Sequence, residues 1–224
     1  MTAPLVIFGA GGFAREVLQV ALDINQAKPT WTALGFLVDP AYGAPNTVHG
    51  LPVLGSIAWL SSHPDVSIIV AVGSSAARYR IVQAIRAAGH SLFARLVHPY
   101  AWMGRRIEIG EGSVICAGSL ITTDIEIGQH VHVNIGATVG HDAVLHDFVT
   151  LNPNVSVSGN VTLHKGVEVG TGSVLIPEAH VGDWSVIGAG SVVTKPLPSN
   201  TTAVGAPARA IGTRNNGWHE SAVR

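Results

Sequence analysis

Hydrophobic positions along this chain recur with two different periods, and the change falls near residue 98. In the first part, short apolar runs alternate with helix-period segments. Leu5-Val6-Ile7-Phe8 reads as a strand that runs into Gly9-Ala10-Gly11-Gly12-Phe13-Ala14. The spacing predicts an amphipathic helix from about Arg15 to Asn25 and a second strand from Ala33 to Val38, ending at Asp39. A third strand is expected from Ser67 to Val72, closed by Gly73-Ser74-Ser75. A helix then runs from Ala76 to Ala88, with Gly89 as its stop. This alternation predicts an α/β domain with a mainly parallel sheet over residues 1–97, half the size of a full dinucleotide-binding domain and half-Rossmann-like in order.

The second part obeys a period of six. From Ile107 to Pro196 the chain divides into fifteen consecutive hexads without insertion. The third residue of each is Val, Ile or Leu, from Ile109, Ile115 and Ile121 through Val181, Ile187 and Val193. The first residue is always Ile, Val, Ala or Ser, and Gly often holds the fourth place. Ala101-Trp102-Met103-Gly104 reads as a looser opening hexad. Six is not a helical period, and plain strand alternation needs no such glycine rhythm. The pattern predicts a prism-shaped coil: one short strand and one turn per hexad, three hexads per coil, aliphatics inward, and coils stacked at about 4.8 Å. Residues 18 apart then lie over one another. The fold class is therefore an N-terminal α/β domain followed, over residues 98–224, by a parallel β-helix with a closing segment.

Composition sharpens this picture. Hydrophobic residues make up 47% of the chain, enough for a core, while charged residues are 12%, about half the usual share. The formal net charge of −1 and the lack of any basic run argue against a nucleic-acid footprint. The single cysteine, Cys116, excludes an intrachain disulfide framework and fits a reducing compartment. Met1-Thr2-Ala3-Pro4 lacks the cationic flank of a signal peptide, and no apolar run is long enough to span a bilayer. The expectation is a cytoplasmic protein.

Candidate chemistry falls in both parts. Gly9, Gly11 and Ala14 satisfy G-x-G-x-x-A between a strand and a helix, where backbone N–H groups attract phosphate. Gly12 shares the loop, and Asp39 stands where a ribose hydroxyl would be read. Alone, this fingerprint points to a nicotinamide enzyme. The half-sized domain and its β-helix partner favour a nucleotide-sugar instead, with Arg15 and Arg78 as candidate diphosphate or sugar contacts. In the coil, His141 occupies a fifth-place turn position, uncommitted to the core, followed by Asp142, which can orient the ring. Imidazole suits proton removal near neutral pH. Gly159, 18 residues on, stacks over His141 with an approachable N–H, a candidate oxyanion donor.

The hexads resemble those of the hexapeptide-repeat acyltransferases. With the preceding Gly9-Ala10-Gly11-Gly12 half, the chain resembles the bacterial nucleotide-amino-sugar N-acetyltransferases and their sialic acid O-acetyltransferase relatives. The resemblance implies a left-handed β-helix and a homotrimer with acetyl-CoA bound between the β-helices of neighbouring subunits, where the active sites lie. It implies acetyl transfer to the amine of a nucleotide-linked amino sugar of the GDP-perosamine kind, a step suited to O-antigen biosynthesis. His141 and Asp142 match the family's catalytic pair. Thr171 and Ala189 match its CoA groove, and Thr150 stands where relatives place a second histidine near the acyl group. Gly205-Ala206-Pro207-Ala208-Arg209 resembles its closing loop, with Arg209 toward a CoA phosphate. Two alternatives carry different chemistry: a sugar O-acetyltransferase, and a γ-class carbonic-anhydrase-like zinc enzyme using His141 and His146. The second lacks a ligand at Arg105, and no metal is expected.

Overall fold

The computed structural model describes residues 2–43 and 45–221; Met1 lies outside the described residues. The N-terminal domain is built on β1 (Ala3–Phe8), α1 (Gly12–Ala27), β2 (Trp31–Leu37), β3 (Thr47–Val48), β4 (Leu51–Gly55), β5 (Ser67–Val70) and α2 (Ser75–Ala87). The sheet order is β3-β4-β2-β1-β5. Strands β4, β2, β1 and β5 run parallel, and β3 is antiparallel to β4. The fully buried run Leu5-Val6-Ile7 makes β1 the centre of the sheet, as a continuous apolar run in a parallel sheet should. Helix α1 covers one face and α2 the other.

The periodic reading finds three of these strands and both helices, and misses β3 and β4. These form a hairpin whose two central residues, His49 and Gly50, both have positive φ, the geometry of a tight two-residue turn. The signal was Val48-His49-Gly50-Leu51, weakened by the histidine in place of the usual Asn or Asp.

The coil forms as the hexads predict. Strands 18 residues apart pair in parallel, as in Leu120↔Thr138 and Thr138↔Ser156 on one face. Glu126↔Val144 and His132↔Thr150 continue the same register on the other two faces. Trp102–Met103 pairs with Leu120-Ile121, so the looser opening hexad is a true rung. First- and third-place side chains from Ile115 to Val193 fill the interior. The sixth residue of every hexad from Gly112 to Gly190 adopts positive φ, including Asp124, Asp142, Asn154 and Asn160. Small polar residues and glycine tolerate that region best. His130, Phe148 and Trp184 also occupy it, and Tyr79 of α2 packs edge-on against Phe148 and Trp184. The coil closes when Thr201–Val204 joins its third face and turns back as Arg209–Thr213.

The third face begins with β6 (Leu96–Val97), paired with Val114-Ile115. The N-terminal domain covers this face, burying the outward positions Val114, His132 and Thr150. No helix among the described residues is long and apolar enough to cross a membrane.

Candidate active site

The carboxyl ends of β1, β2 and β5 open into a cleft of about 1020 Å³, lined by the Gly9–Gly12 loop, Asp39 and Arg80. Chain order reverses here, since β1 lies between β2 and β5, and such switch points are where open α/β sheets bind ligands. Gly9 is required twice over: its φ is +115°, and a Cβ there would lie 3.0 Å from the Ala71 carbonyl oxygen. Gly11 caps α1 with no side-chain hydrogen bond, and no acidic residue sits in the first turn. The first-turn N–H groups of α1 therefore remain available to an anion. Asp39 accepts the Ala41 N–H at 2.9 Å and stands exposed in the wall. The structure thus brings Gly9, Gly11, Gly12 and Asp39 together. Arg15 is exposed and does not line the cleft.

Arg78 does not belong to this site, and its expected role as a sugar or diphosphate contact is corrected. Its side chain is fully buried between the two domains. Nε donates to the His130 carbonyl at 2.9 Å, Nη1 to the Val72 carbonyl at 2.8 Å, and Nη2 to the Phe148 carbonyl and Thr150 hydroxyl at 2.9 and 2.8 Å. Burial pushes its pKa down to about 9, opposed by the Glu168 carboxylate. Thr150 is corrected with it. That residue is buried, bonded to Arg78 and to the Ser75 hydroxyl at 2.9 Å, and has no surface for CoA. Sequence spacing put both residues on the right elements but could not reveal that those faces meet.

A missed cation replaces Arg78 in the cleft. Arg80 shares one face of α2 with Ala77, Ile81 and Ala84, all in the lining. The i, i+3, i+4, i+7 spacing was visible in the sequence; which face met the cleft was not.

The prism has three vertices, each a column of fifth-place residues. Thr123, His141 and Gly159 form one; Pro153, Thr171 and Ala189 form another. His141 Nδ1 and Asp142 Oδ2 lie 2.7 Å apart, with the two side chains 60% and 55% exposed. In the tautomer where Nδ1–H donates to the carboxylate, Nε2 carries the lone pair and faces solvent. A Cβ on Gly159 would lie 2.6 Å from both Cε1 and Nε2 of His141, so the imidazole rests against the bare glycine. The Gly159 N–H has no protein acceptor among the described residues. One coil earlier, Arg106 and Asp124 form a two-pronged pair, Nη2 to Oδ2 at 2.7 Å. Arg106 holds the Asp124 carboxyl below its ordinary range.

Thr171 and Ala189 are stacked and exposed, as expected, but on a different vertex from His141: the Gly190 N–H donates to the Thr171 carbonyl at 2.9 Å. Arg209 is exposed at the start of the closing strand. The face covered by the N-terminal domain is bounded by the other two vertices, so His141 lies opposite that domain. One chain therefore does not bring its own cleft to its own His141. His146 and His164 stack at 5.2 Å, but no three His, Cys, Asp or Glu side chains converge as a ligand set among the described residues.

Comparisons with known proteins agree with this geometry. The family described as PglD N-terminal domain matches residues 4–85, and bacterial transferase hexapeptide (six repeats) matches residues 160–195. The chain is 31% identical to the GDP-perosamine N-acetyltransferase of Escherichia coli O157:H7 over 92% of its own length and 95% of the relative's. Serine acetyltransferase of Escherichia coli K12 is 36% identical over 118 residues, but there the chain spans only 37% of the relative. Among solved structures, the acetyltransferase domain of PglB from Neisseria gonorrhoeae in complex with acetyl coenzyme A superposes with a TM-score of 0.84. It is 31% identical and covers 94% of this chain and 100% of that one. PerB from Caulobacter crescentus, in complex with CoA and GDP-perosamine, also gives 0.84, at 29% identity over 95% of this chain and 99% of that one. A half-Rossmann cleft joined to a left-handed hexapeptide coil, matched over nearly its whole length, places this chain in the family of nucleotide-amino-sugar N-acetyltransferases of the hexapeptide-repeat superfamily.

Proposed function

We propose that this protein transfers the acetyl group of acetyl-CoA to the amine of a nucleotide-linked amino sugar, with His141 as general base. The observation that carries the reading is the 2.7 Å contact between His141 Nδ1 and Asp142 on an exposed vertex, beside a glycine whose missing side chain leaves room for the imidazole. His141 Nε2 takes a proton from the amine as nitrogen attacks the thioester carbon, and Asp142 stabilises the resulting imidazolium. The Gly159 N–H donates to the oxygen that becomes negative, and the thiolate then leaves. Thr171, Ala189 and Arg209 hold the CoA portion, while the Gly9–Gly12 loop and Asp39 hold the nucleotide-sugar.

The active unit is a homotrimer. His141 faces away from its own N-terminal domain, so the cleft of a neighbouring subunit supplies the acceptor. Exposed Trp102 and Leu120 on adjacent rungs, with Val174 three rungs further along the same face, give the apolar contact surface. The bound species in the PerB and PglB structures support CoA and a GDP-linked sugar as the substrate classes.

The deciding assay is release of free CoA thiol against a panel of GDP- and UDP-linked amino sugars and their hydroxyl counterparts. His141→Asn should lower kcat by about 10²–10⁴, the worth of a general base. Near-wild-type turnover in that variant defeats the assignment. Acetylation of the hydroxyl sugars alone would make the protein an O-acetyltransferase.

A further inference from the structure

We infer that Arg80 is the residue that clamps the diphosphate of the nucleotide-sugar, held in place for that task by the C-terminal turn. The inference rests on the reading of the cleft as the nucleotide-sugar site. Among the described residues Arg80 is the one cationic side chain in its lining. A nucleotide-sugar carries two anionic phosphoryl groups. The open start of α1 contributes only about half a unit charge, which leaves most of the ligand charge unmet. Gly9 abuts the carbonyl of Ala71, just past β5, and α2, which carries Arg80, starts at Ser75. The glycine loop and Arg80 therefore flank one crevice.

The guanidinium is half-buried and fixed at one nitrogen, with Nη1 donating to the His219 carbonyl at 2.8 Å. That carbonyl is itself anchored. The His219 ring stacks on Trp184 at 3.8 Å with planes 7° apart, and Arg214 lies 4.1 Å over the Trp218 ring. Nε and Nη2 of Arg80 have no protein acceptor among the described residues. A planar fork with one nitrogen tied back and two nitrogens free suits a phosphoryl oxygen pair. Loss of the fork should therefore be felt where the ligand carries a second phosphate.

The test is calorimetry with GDP, GMP, UDP and UMP on the full chain, with steady-state kinetics alongside. Wild-type protein should bind one diphosphate at least about tenfold more tightly than its monophosphate. Arg80→Gln should abolish most of that preference and raise KM for the nucleotide-sugar far more than it lowers kcat, leaving KM for acetyl-CoA in place. Arg80→Lys should recover part of the affinity. A chain ending at Asn216, which keeps Arg80 but removes its anchor, should fall between wild type and Arg80→Gln. Circular dichroism and light scattering identify any variant that has lost its fold, and Arg80→Lys then carries the test. The proposal is overturned if Arg80→Gln retains the diphosphate preference, or if Arg15→Ala rather than Arg80→Gln loses it. A wild-type protein that binds neither diphosphate overturns the cleft reading as well, a result distinct from the first two.

Discussion

Replacing Gly159 with alanine adds one methyl group and tests the His141 geometry directly. The new Cβ would stand 2.6 Å from Cε1 and Nε2 of His141 and 3.1 Å from Nδ1. Non-bonded heavy atoms rest at about 3.5–4.0 Å, so the ring must retreat by roughly 1 Å. That retreat pulls against the 2.7 Å contact with Asp142 and moves Nε2 from its resting place. A misplacement of about 1 Å in a reacting group costs on the order of 10² in rate, and we expect kcat to fall by about that factor. The backbone itself should tolerate the change, because Gly159 is not among the glycines at positive φ and alanine restricts the unfolded chain. Stability should therefore hold within about 1 kcal/mol. The assay is thiol release at saturating substrates, with urea unfolding of the same sample. A variant with kcat within threefold of wild type and an unchanged urea midpoint refutes the view that the imidazole works from its position against Gly159.

Two further predictions concern the buried seam between the domains. Arg78→Met leaves the carbonyls of Val72, His130 and Phe148 buried without their donor, which should cost about 3–5 kcal/mol in urea unfolding; a loss under about 1 kcal/mol would show that the network contributes little. Acid should weaken the same seam: burial holds His130 at a pKa of about 3 and His132 well below its ordinary value. Below about 6.5 the unfolded chain binds protons that the folded chain refuses, so stability falls as pH drops from there toward 3. At pH 5 His130 alone should cost about 2 kcal/mol, with His132 acting in the same direction, read as a lower urea midpoint than at pH 7, and equal midpoints would contradict their neutral burial.

The coil was legible because its information is local and repeats. A third-place aliphatic every six residues determines which side chains turn inward, and a constant 18-residue offset converts sequence distance into stacking. His141 over Gly159, Thr171 over Ala189 and His146 beside His164 all follow from counting. The glycine loop was equally readable, since a strand, a turn and a helix start lie within a dozen residues. The sixth-place positive φ was less visible: glycine, Asp and Asn mark it, but Phe148 and Trp184 disguise it.

What counting could not supply is which faces meet. Arg78 and Thr150 are 72 positions apart, and each looks like a surface residue on its own element. Only docking of the N-terminal domain onto the third face buries them together, turning a candidate ligand contact into a strut. The same docking leaves His141 on the opposite vertex and turns Arg80 toward the cleft. The physical reason is that hydrophobic period fixes the inward side of an element, while the partner of its outward side depends on contacts that no local pattern encodes. Sequence alone therefore determined the prism, its stacking and the glycine loop between β1 and α1. Tertiary packing decided which of the charged residues face the cleft and which hold the domains together.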